Sequence, residues 1–256
     1  ITGTMVGDVM NEASGQINAD FGIKFSGMPI MAGTVAGWTS LTGDISNAGT
    51  ISATVEAVNL YNTNMTGSIL NSGTMSGGGI NAQWATVSGN ILNTALISHG
   101  EISVNTSTIH GGITNTGIIN SGTASIGIDF SSAYILNGIT NTGTITAGTG
   151  VFSESFTQVF GGFTNTGTIV GAVSGFYMSS SATINGGVTN TGVIQGGSGK
   201  GFYMSVGALN NGLTNLGTIS STNDFAIYLS QEQLGAGGIT NTGLISGKGG
   251  VMLTSS

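Results

Sequence analysis

The sequence predicts an all-β fold, a parallel β-helix of the right-handed kind, and three observations carry this prediction. A phrase of the form ITNTGTI recurs from GGITNTGII at 111–119 to GGITNTGLI at 237–245, with a repeat length in the twenties that is typical of solenoids. The 47 glycines and the abundant Ile, Val and Thr oppose helix formation. Each repeat contains three short β-like pieces separated by glycines, which predicts three strands per coil and roughly ten coils.

The asparagine of the phrase marks each repeat, and successive copies lie 22 to 26 residues apart, so one coil takes about 24 residues. A side-chain amide has both a donor and an acceptor, so identical asparagines one coil apart can hydrogen-bond as a ladder. Asparagine also tolerates the left-handed backbone that a corner between strands requires. We therefore predict a structural ladder rather than a ligand site. Its members are Asn47, Asn71, Asn93, Asn115, Asn141, Asn165, Asn190, Asn215 and Asn241.

The alternation within the phrase assigns the inside of the coil. In GITNTGTI at 138–145, residues two apart share a face, so the isoleucines and the asparagine are predicted to point inward and the threonines outward. Stacked coils then form columns of equivalent residues. One predicted core column is Ile113, Ile139, Phe163, Val188, Leu213 and Ile239, and another is Ile119, Ile145, Ile169, Ile194, Ile219 and Ile245.

The chain is predicted to be a single solenoid domain over residues 1–256, with regular repeats at 45–256. Residues 1–44 are expected to form a degenerate first coil, with a strand at 22–26 and an irregular insertion at 27–44 that serves as a cap or assembly region. The sequence starts without methionine and stops at GVMLTSS, inside a coil. Either it is a piece of a longer protein, or subunits join head to tail into a filament.

Charge excludes several functional classes. Only 5% of the residues are charged, and three lysines without arginine give a net charge of −7, which opposes binding to nucleic acid and to anionic membrane surfaces.

No apolar run approaches the roughly 18 residues of a membrane span, so no transmembrane segment is predicted. Without cysteine there is no disulfide or thiolate metal site, and we predict no cofactor.

Three tyrosines form a candidate exposed contact column. Tyr177, Tyr203 and Tyr228 occupy the middle, outward position of successive strands. Such a column can stack on sugar rings or on a neighbouring molecule, or its rings can stack on one another. Beside it, Lys200 and Asp224 fall at nearly the same place in adjacent repeats, which predicts a surface ion pair.

Candidates for catalysis are few. Asp129 and Glu154 are the only acidic residues predicted to stack one coil apart, and such a pair could serve glycoside hydrolysis or bind calcium. No supporting arginine, lysine or histidine accompanies them, and His99 and His110 lie in different strands without a nucleophile or metal partner. We therefore predict no catalytic residues, no metal site and no enzymatic activity.

Outward Thr-x-Thr rows, such as Thr140 and Thr142, resemble the flat faces of ice-binding β-solenoids, on which hydroxyl and methyl groups organise water. The resemblance holds only if both threonines of each repeat lie on one face. If the asparagine between them marks a corner, no flat lattice exists.

The recurring I-T-N-T-G-T-I phrase over residues 45–256 resembles the passenger domains of bacterial autotransporters and related β-helical adhesins. The resemblance implies export and display at the bacterial cell surface. We expect a non-enzymatic extracellular fibre or adhesin whose partners are other copies of itself, stacked axially or laterally, and surface glycans. The alternatives are a carbohydrate-binding or carbohydrate-cleaving β-helix that uses the tyrosine column and the Asp129 and Glu154 pair, and an ice-binding solenoid.

Overall fold

A computed structural model describes residues 3–27 and 37–254, and within these ranges the chain folds as a parallel β-solenoid of about nine turns without any helix. The predicted all-β parallel β-solenoid and its coil length of about 24 residues are confirmed, although the turns are slightly fewer than expected, and the right-handed sense stays a prediction. The strands are β1 (Thr4–Val6), β2 (Val9–Asn11), β3 (Gln16–Ser26), β4 (Thr39–Thr42), β5 (Ile45–Asn47), β6 (Thr50–Tyr61), β7 (Thr63–Met65), β8 (Ile69–Asn71), β9 (Thr74–Ser76), β10 (Ile80–Gln83), β11 (Thr86–Val87), β12 (Ile91–Asn93), β13 (Leu96–Ser98), β14 (Ile102–Asn105), β15 (Thr108–Ile109), β16 (Ile113–Asn115), β17 (Ile118–Ser131), β18 (Tyr134–Ile135), β19 (Ile139–Asn141), β20 (Thr144–Glu154), β21 (Gln158–Val159), β22 (Phe163–Asn165), β23 (Thr168–Ile184), β24 (Val188–Asn190), β25 (Val193–Gly196), β26 (Phe202–Leu209), β27 (Leu213–Asn215), β28 (Thr218–Ser221), β29 (Phe225–Leu234), β30 (Ile239–Asn241), β31 (Leu244–Ser246) and β32 (Gly249–Thr254).

The described strands form two parallel sheets that run the length of the solenoid. A narrow sheet of ten three-residue strands has the order β2-β5-β8-β12-β16-β19-β22-β24-β27-β30. The remaining 22 strands form a wide sheet that bends around the rest of each coil. Each strand pairs with the corresponding strand of the next coil, so the backbone hydrogen bonds run along the solenoid axis.

The repeated phrase is two strands rather than the one that the sequence predicts. β19 ends at Asn141 in the narrow sheet, and β20 begins at Thr144 in the wide sheet, so Thr142 and Gly143 turn the corner between them. Gly138, with φ of 81°, turns the chain at the other end of the three-residue strand. The narrow sheet is therefore bounded by a glycine on one side and the asparagine on the other.

Both predicted core columns are confirmed, because their residues pair with one another from coil to coil. Ile113 lies opposite Ile139 in the narrow sheet, and Ile119 lies opposite Ile145 in the wide sheet. All members are buried except those of the last coil, Ile239 and Ile245, which are partly buried against the core. Burial of each such side chain contributes roughly 1.5 to 3 kcal/mol relative to exposure.

The N-terminal coil is more regular than the sequence predicts. The predicted strand at 22–26 lies within β3, which pairs with β6. Within the insertion predicted at 27–44, residues 28–36, which include Pro29, lie outside the described residues. The stretch 39–42 is not irregular, because β4 there pairs in register with β7 of the next coil.

A column of glycines follows the asparagine corner and allows the coils to approach closely. A Cβ atom on Gly167 would lie 2.1 Å from the carbonyl oxygen of Gly143 in the preceding coil. Gly143 has the same relation to Gly117, at 2.0 Å. The close approach of the backbones, rather than an unusual φ, therefore requires glycine in the TNTG part of the phrase.

Candidate functional site

The predicted asparagine ladder is present and is longer than the sequence indicated. From Asn11 to Asn241, each Nδ2 donates to Oδ1 of the next asparagine at 2.7 or 2.8 Å. Asn11 was missed because 36 residues separate it from Asn47 and its surroundings, VMNEASG, lack the phrase. The available signal was the stretch VMN at 9–11, which has the apolar-x-Asn form of ILN at 69–71.

The ladder amides also bond to the backbone. Asn190 Nδ2 donates to the carbonyl of Gly192 at 3.2 Å and to that of Thr218 at 3.0 Å, in addition to Asn215 Oδ1. The ladder asparagines from Asn47 to Asn215 are fully buried. Their polar groups are therefore engaged within the protein, which favours a structural role over contact with a ligand.

The tyrosine column exists, but its rings mainly cover one another. The ring centroids of Tyr177 and Tyr203 lie 4.6 Å apart with planes inclined by only 4°. Phe152 extends the column on one side at 5.1 Å, and Tyr228 extends it on the other at 5.4 Å, edge to face. A sugar ring stacks on an aromatic face, and the stacked faces here are occupied, so the column offers mainly ring edges to a ligand.

The predicted ion pair beside this column is present. Lys200 Nζ lies 3.0 Å from Asp224 Oδ2 and about 5 Å from the ring centroids of Tyr203 and Tyr228. The backbone N–H of Phe225, which bonds to the Asp224 carboxylate, lowers the pKa of that carboxyl, and the hydrogen bond and charge of Lys200 lower it further. The cation therefore contacts the rings of two successive coils, Tyr203 in its own coil and Tyr228 in the next.

Asp129 and Glu154 do not stack as predicted. Asp129 lies opposite Phe152, and Glu154 lies opposite Ser131, so the two carboxylates are two residues out of register. The number of residues after the ladder asparagine is nearly the same for Asp129 and Glu154, but this number does not account for a β-bulge. β17 carries extra residues between Asn120 and Ile126 that β20 lacks.

A different set of acidic residues lines a cleft of about 360 Å³ on the wide sheet. Glu56 and Glu101 lie there with His99, and Glu56 accepts hydrogen bonds from the amides of Asn81, at 2.7 Å, and Asn59. No repeat position in the sequence marks this cluster, because its members occupy different positions in their repeats. Among the described residues, no group of three His, Cys, Asp or Glu side chains could hold a metal ion.

Two carboxyls on this part of the wide sheet, Glu101 of the cleft and Asp129 on the neighbouring strand β17, have a raised pKa. Burial, followed by the charges of Asp129 and Glu56, raises the pKa of Glu101 from its usual 4.5 to about 7. Burial and the charge of Glu154 raise the pKa of Asp129 to about 6, against the effect of a hydrogen bond from the Phe130 backbone. One Asp129 carboxylate oxygen is buried without a hydrogen-bond partner. A carboxyl in such surroundings can donate a proton near neutral pH.

The threonine rows do not form one flat face. Thr140 points outward from the narrow sheet, whereas Thr142 lies in the corner beyond Asn141. The asparagine therefore marks a corner, and the geometric condition for the ice-binding alternative is not met.

No protein-family model, curated protein or solved structure matches the chain. Within 3–27 and 37–254 there is also no helix long and apolar enough to cross a bilayer.

Proposed function

We propose that the chain is a non-enzymatic extracellular structural protein, a solenoid of a bacterial surface fibre or adhesin. The observation that supports this most directly is the ladder, which joins every coil from Asn11 to Asn241. At about 4.8 Å per coil, nine turns make a rod roughly 43 Å long. Such a structure extends outward by adding identical coils, which suits a stalk or fibre.

Axial stacking is the second part of this proposal. In the first described coil Val6 is 78% exposed and Met10 is 60% exposed, and in the last Leu244 and Leu253 are each about half exposed. The edge strands of such coils present unpaired backbone groups to the next coil along the axis. A further coil, from the same polypeptide or from a second copy, would bury these apolar side chains and complete the pairing.

Electron microscopy and light scattering of the purified chain test the assembly. We expect mass and length to increase with concentration through end-to-end stacking. Leu253→Lys, which places a charge on the edge strand, should keep the chain as short rods, whereas Val173→Lys, at an exposed position of β23 within the solenoid, should not. Short monomeric rods at every concentration would refute assembly of this chain with itself. Antibodies against the chain that fail to label intact producing cells would refute the surface location.

One observation favours a carbohydrate-cleaving enzyme as a second candidate. Glu101 and Asp129 are neighbouring carboxyls whose burial raises the pKa to about 7 and about 6, and a carboxyl with a raised pKa can act as the general acid of a hydrolase. Release of reducing sugar from a polysaccharide by the wild type, and its loss in Glu101→Gln, would replace the structural proposal with an enzymatic one.

A further inference from the structure

The two tryptophans of the chain lie together on one groove. Trp38 and Trp84 both line a groove of about 500 Å³, and each is 38% exposed. In sequence they are 46 residues apart, and the repeated phrase contains neither. The groove is separate from the acidic cleft and from the tyrosine column.

The solenoid places both indoles on the same corner. Asn62, Trp84 and Thr106 follow strands that pair in register, and all three have φ of 48° or 49°. Trp38 occupies the equivalent place one coil before Asn62, because the residues that follow, Thr39 and Thr63, lie opposite each other. The two tryptophans are therefore two coils apart, roughly 9.5 Å along the axis.

Packing holds one of the indoles in place. The ring of Tyr61 meets the ring of Trp84 edge to face, with the centroids 4.9 Å apart. Trp84 follows β10, and its backbone N–H donates to the carbonyl of Asn105 in the next coil at 3.1 Å. An aromatic surface that is fixed before binding loses little conformational freedom when a ligand stacks on it.

The chemistry of the groove selects its ligand. Thr86, Thr106 and Thr108 add hydroxyl groups beside the indoles, and the described residues that line the groove include no ionisable side chain. A ligand that fits combines apolar C–H faces with many hydroxyls and carries no charge. A net charge of −7 on the chain further disfavours anionic ligands.

We infer that this groove binds a neutral oligosaccharide, with sugar rings stacked on Trp38 and Trp84 and hydroxyls bonded to the threonines. The tyrosine column is a poorer sugar platform because the faces of Tyr177 and Tyr203 cover each other. The oligosaccharide would be a ligand of the proposed adhesin, but its binding does not require axial assembly of the chain. Failure of sugar binding would leave the fibre proposal standing, and the reverse also holds.

Tryptophan fluorescence measures this site directly, since both tryptophans of the chain line it. Cellohexaose, chitohexaose and maltohexaose are titrated into the whole chain, with an oligogalacturonate as the anionic comparison. We expect a saturable emission change with at least one neutral sugar and at least about tenfold weaker binding of the oligogalacturonate. No change with any neutral sugar up to millimolar concentration, or equal binding of the oligogalacturonate, would overturn the inference.

Variants locate the binding. Trp38→Ala leaves Trp84 as the reporter and should weaken binding at least about tenfold. Thr108→Val, which keeps the shape of the side chain, should weaken it several-fold. Phe156→Ala is the matched control, because Phe156 is an exposed aromatic residue with φ of 61° outside the groove, and it should bind as the wild type does.

Two results would contradict the site even if sugar binds. Wild-type affinity in both Trp38→Ala and Thr108→Val, with circular dichroism showing intact β-structure, would place the sugar elsewhere. Emission that changes with protein concentration in the absence of sugar would show that the groove is a contact between copies of the chain.

Discussion

Replacing Asn190 by Leu interrupts the ladder at one rung while keeping the number and branching of the side-chain heavy atoms. The substitution removes the acceptor for Asn165 Nδ2 and the donor to Asn215 Oδ1, both at 2.7 Å. Asn165 keeps its bonds to the carbonyls of Gly167 and Val193. The Asn215 oxygen is fully buried and loses the amide that bonds to it.

The expected cost follows from these contacts. Leaving a buried acceptor without a donor costs about 1 to 3 kcal/mol, and each net hydrogen bond lost adds about 1 kcal/mol. We therefore expect Asn190→Leu to lower the free energy of unfolding by about 3 kcal/mol. Urea denaturation followed by circular dichroism measures this change, with the slope of the transition checked for loss of cooperativity.

Asn210 provides the matched control. Its Nδ2 donates to Asn185 Oδ1 at 2.7 Å across the same interval of 25 residues, but Asn210 is exposed. Water replaces this bond in Asn210→Leu, so the loss should stay below about 1 kcal/mol. Equal effects of Asn190→Leu and Asn210→Leu, or a change below about 0.5 kcal/mol at Asn190, would refute the argument that burial makes the ladder stabilising.

Three further predictions test other features of the structure. The pKa of Glu101 rises from 4.5 to about 7 on folding, so the free energy of unfolding is highest below about pH 4.5 and falls as the pH rises through about 7. Glu101→Gln should therefore raise the free energy of unfolding at pH 8 by at most about 3 kcal/mol, with a higher melting temperature, and leave both unchanged at pH 4. Gly167→Ala forces a Cβ against a carbonyl oxygen and should destabilise by about 3 kcal/mol in urea, whereas Gly250→Ala, with open space around its Cβ, should be neutral. Ser153→Ala removes a buried hydroxyl that has no hydrogen-bond partner, and calorimetry should show a gain of about 1 kcal/mol. A pH-independent effect of Glu101→Gln would contradict the raised pKa. Equal effects of the two glycine substitutions would contradict the close backbone approach at Gly167, and a lower stability of Ser153→Ala would contradict the unpaired hydroxyl.

The sequence was sufficient to predict contacts wherever the same residue types recur at a fixed place in the repeat. The ladder and the two core columns follow from the phrase itself, because in-register stacking places equivalent residues one above another. The ion pair between Lys200 and Asp224 could be predicted for the same reason. Their repeats are similar in length around the two residues, and the count from the asparagine is nearly the same.

The candidate sites could not be predicted in this way, because they lie where the repeats differ. The bulge in β17 shifts Asp129 relative to Glu154, and no count of residues from the asparagine shows where the extra residues are accommodated. Trp38 and Trp84 belong to different kinds of local sequence, and only the pairing of whole coils brings them to one corner.

The corner that carries Trp84 has a consequence for how this surface can change. Thr106 and Ser132 also have positive φ, of 48° and 52°, at bend positions of other coils, although neither is glycine. At such a position the side chain leaves the coil without entering the core. This edge of the solenoid can therefore acquire a new recognition surface one side chain at a time, while the asparagine and glycine columns keep the scaffold unchanged.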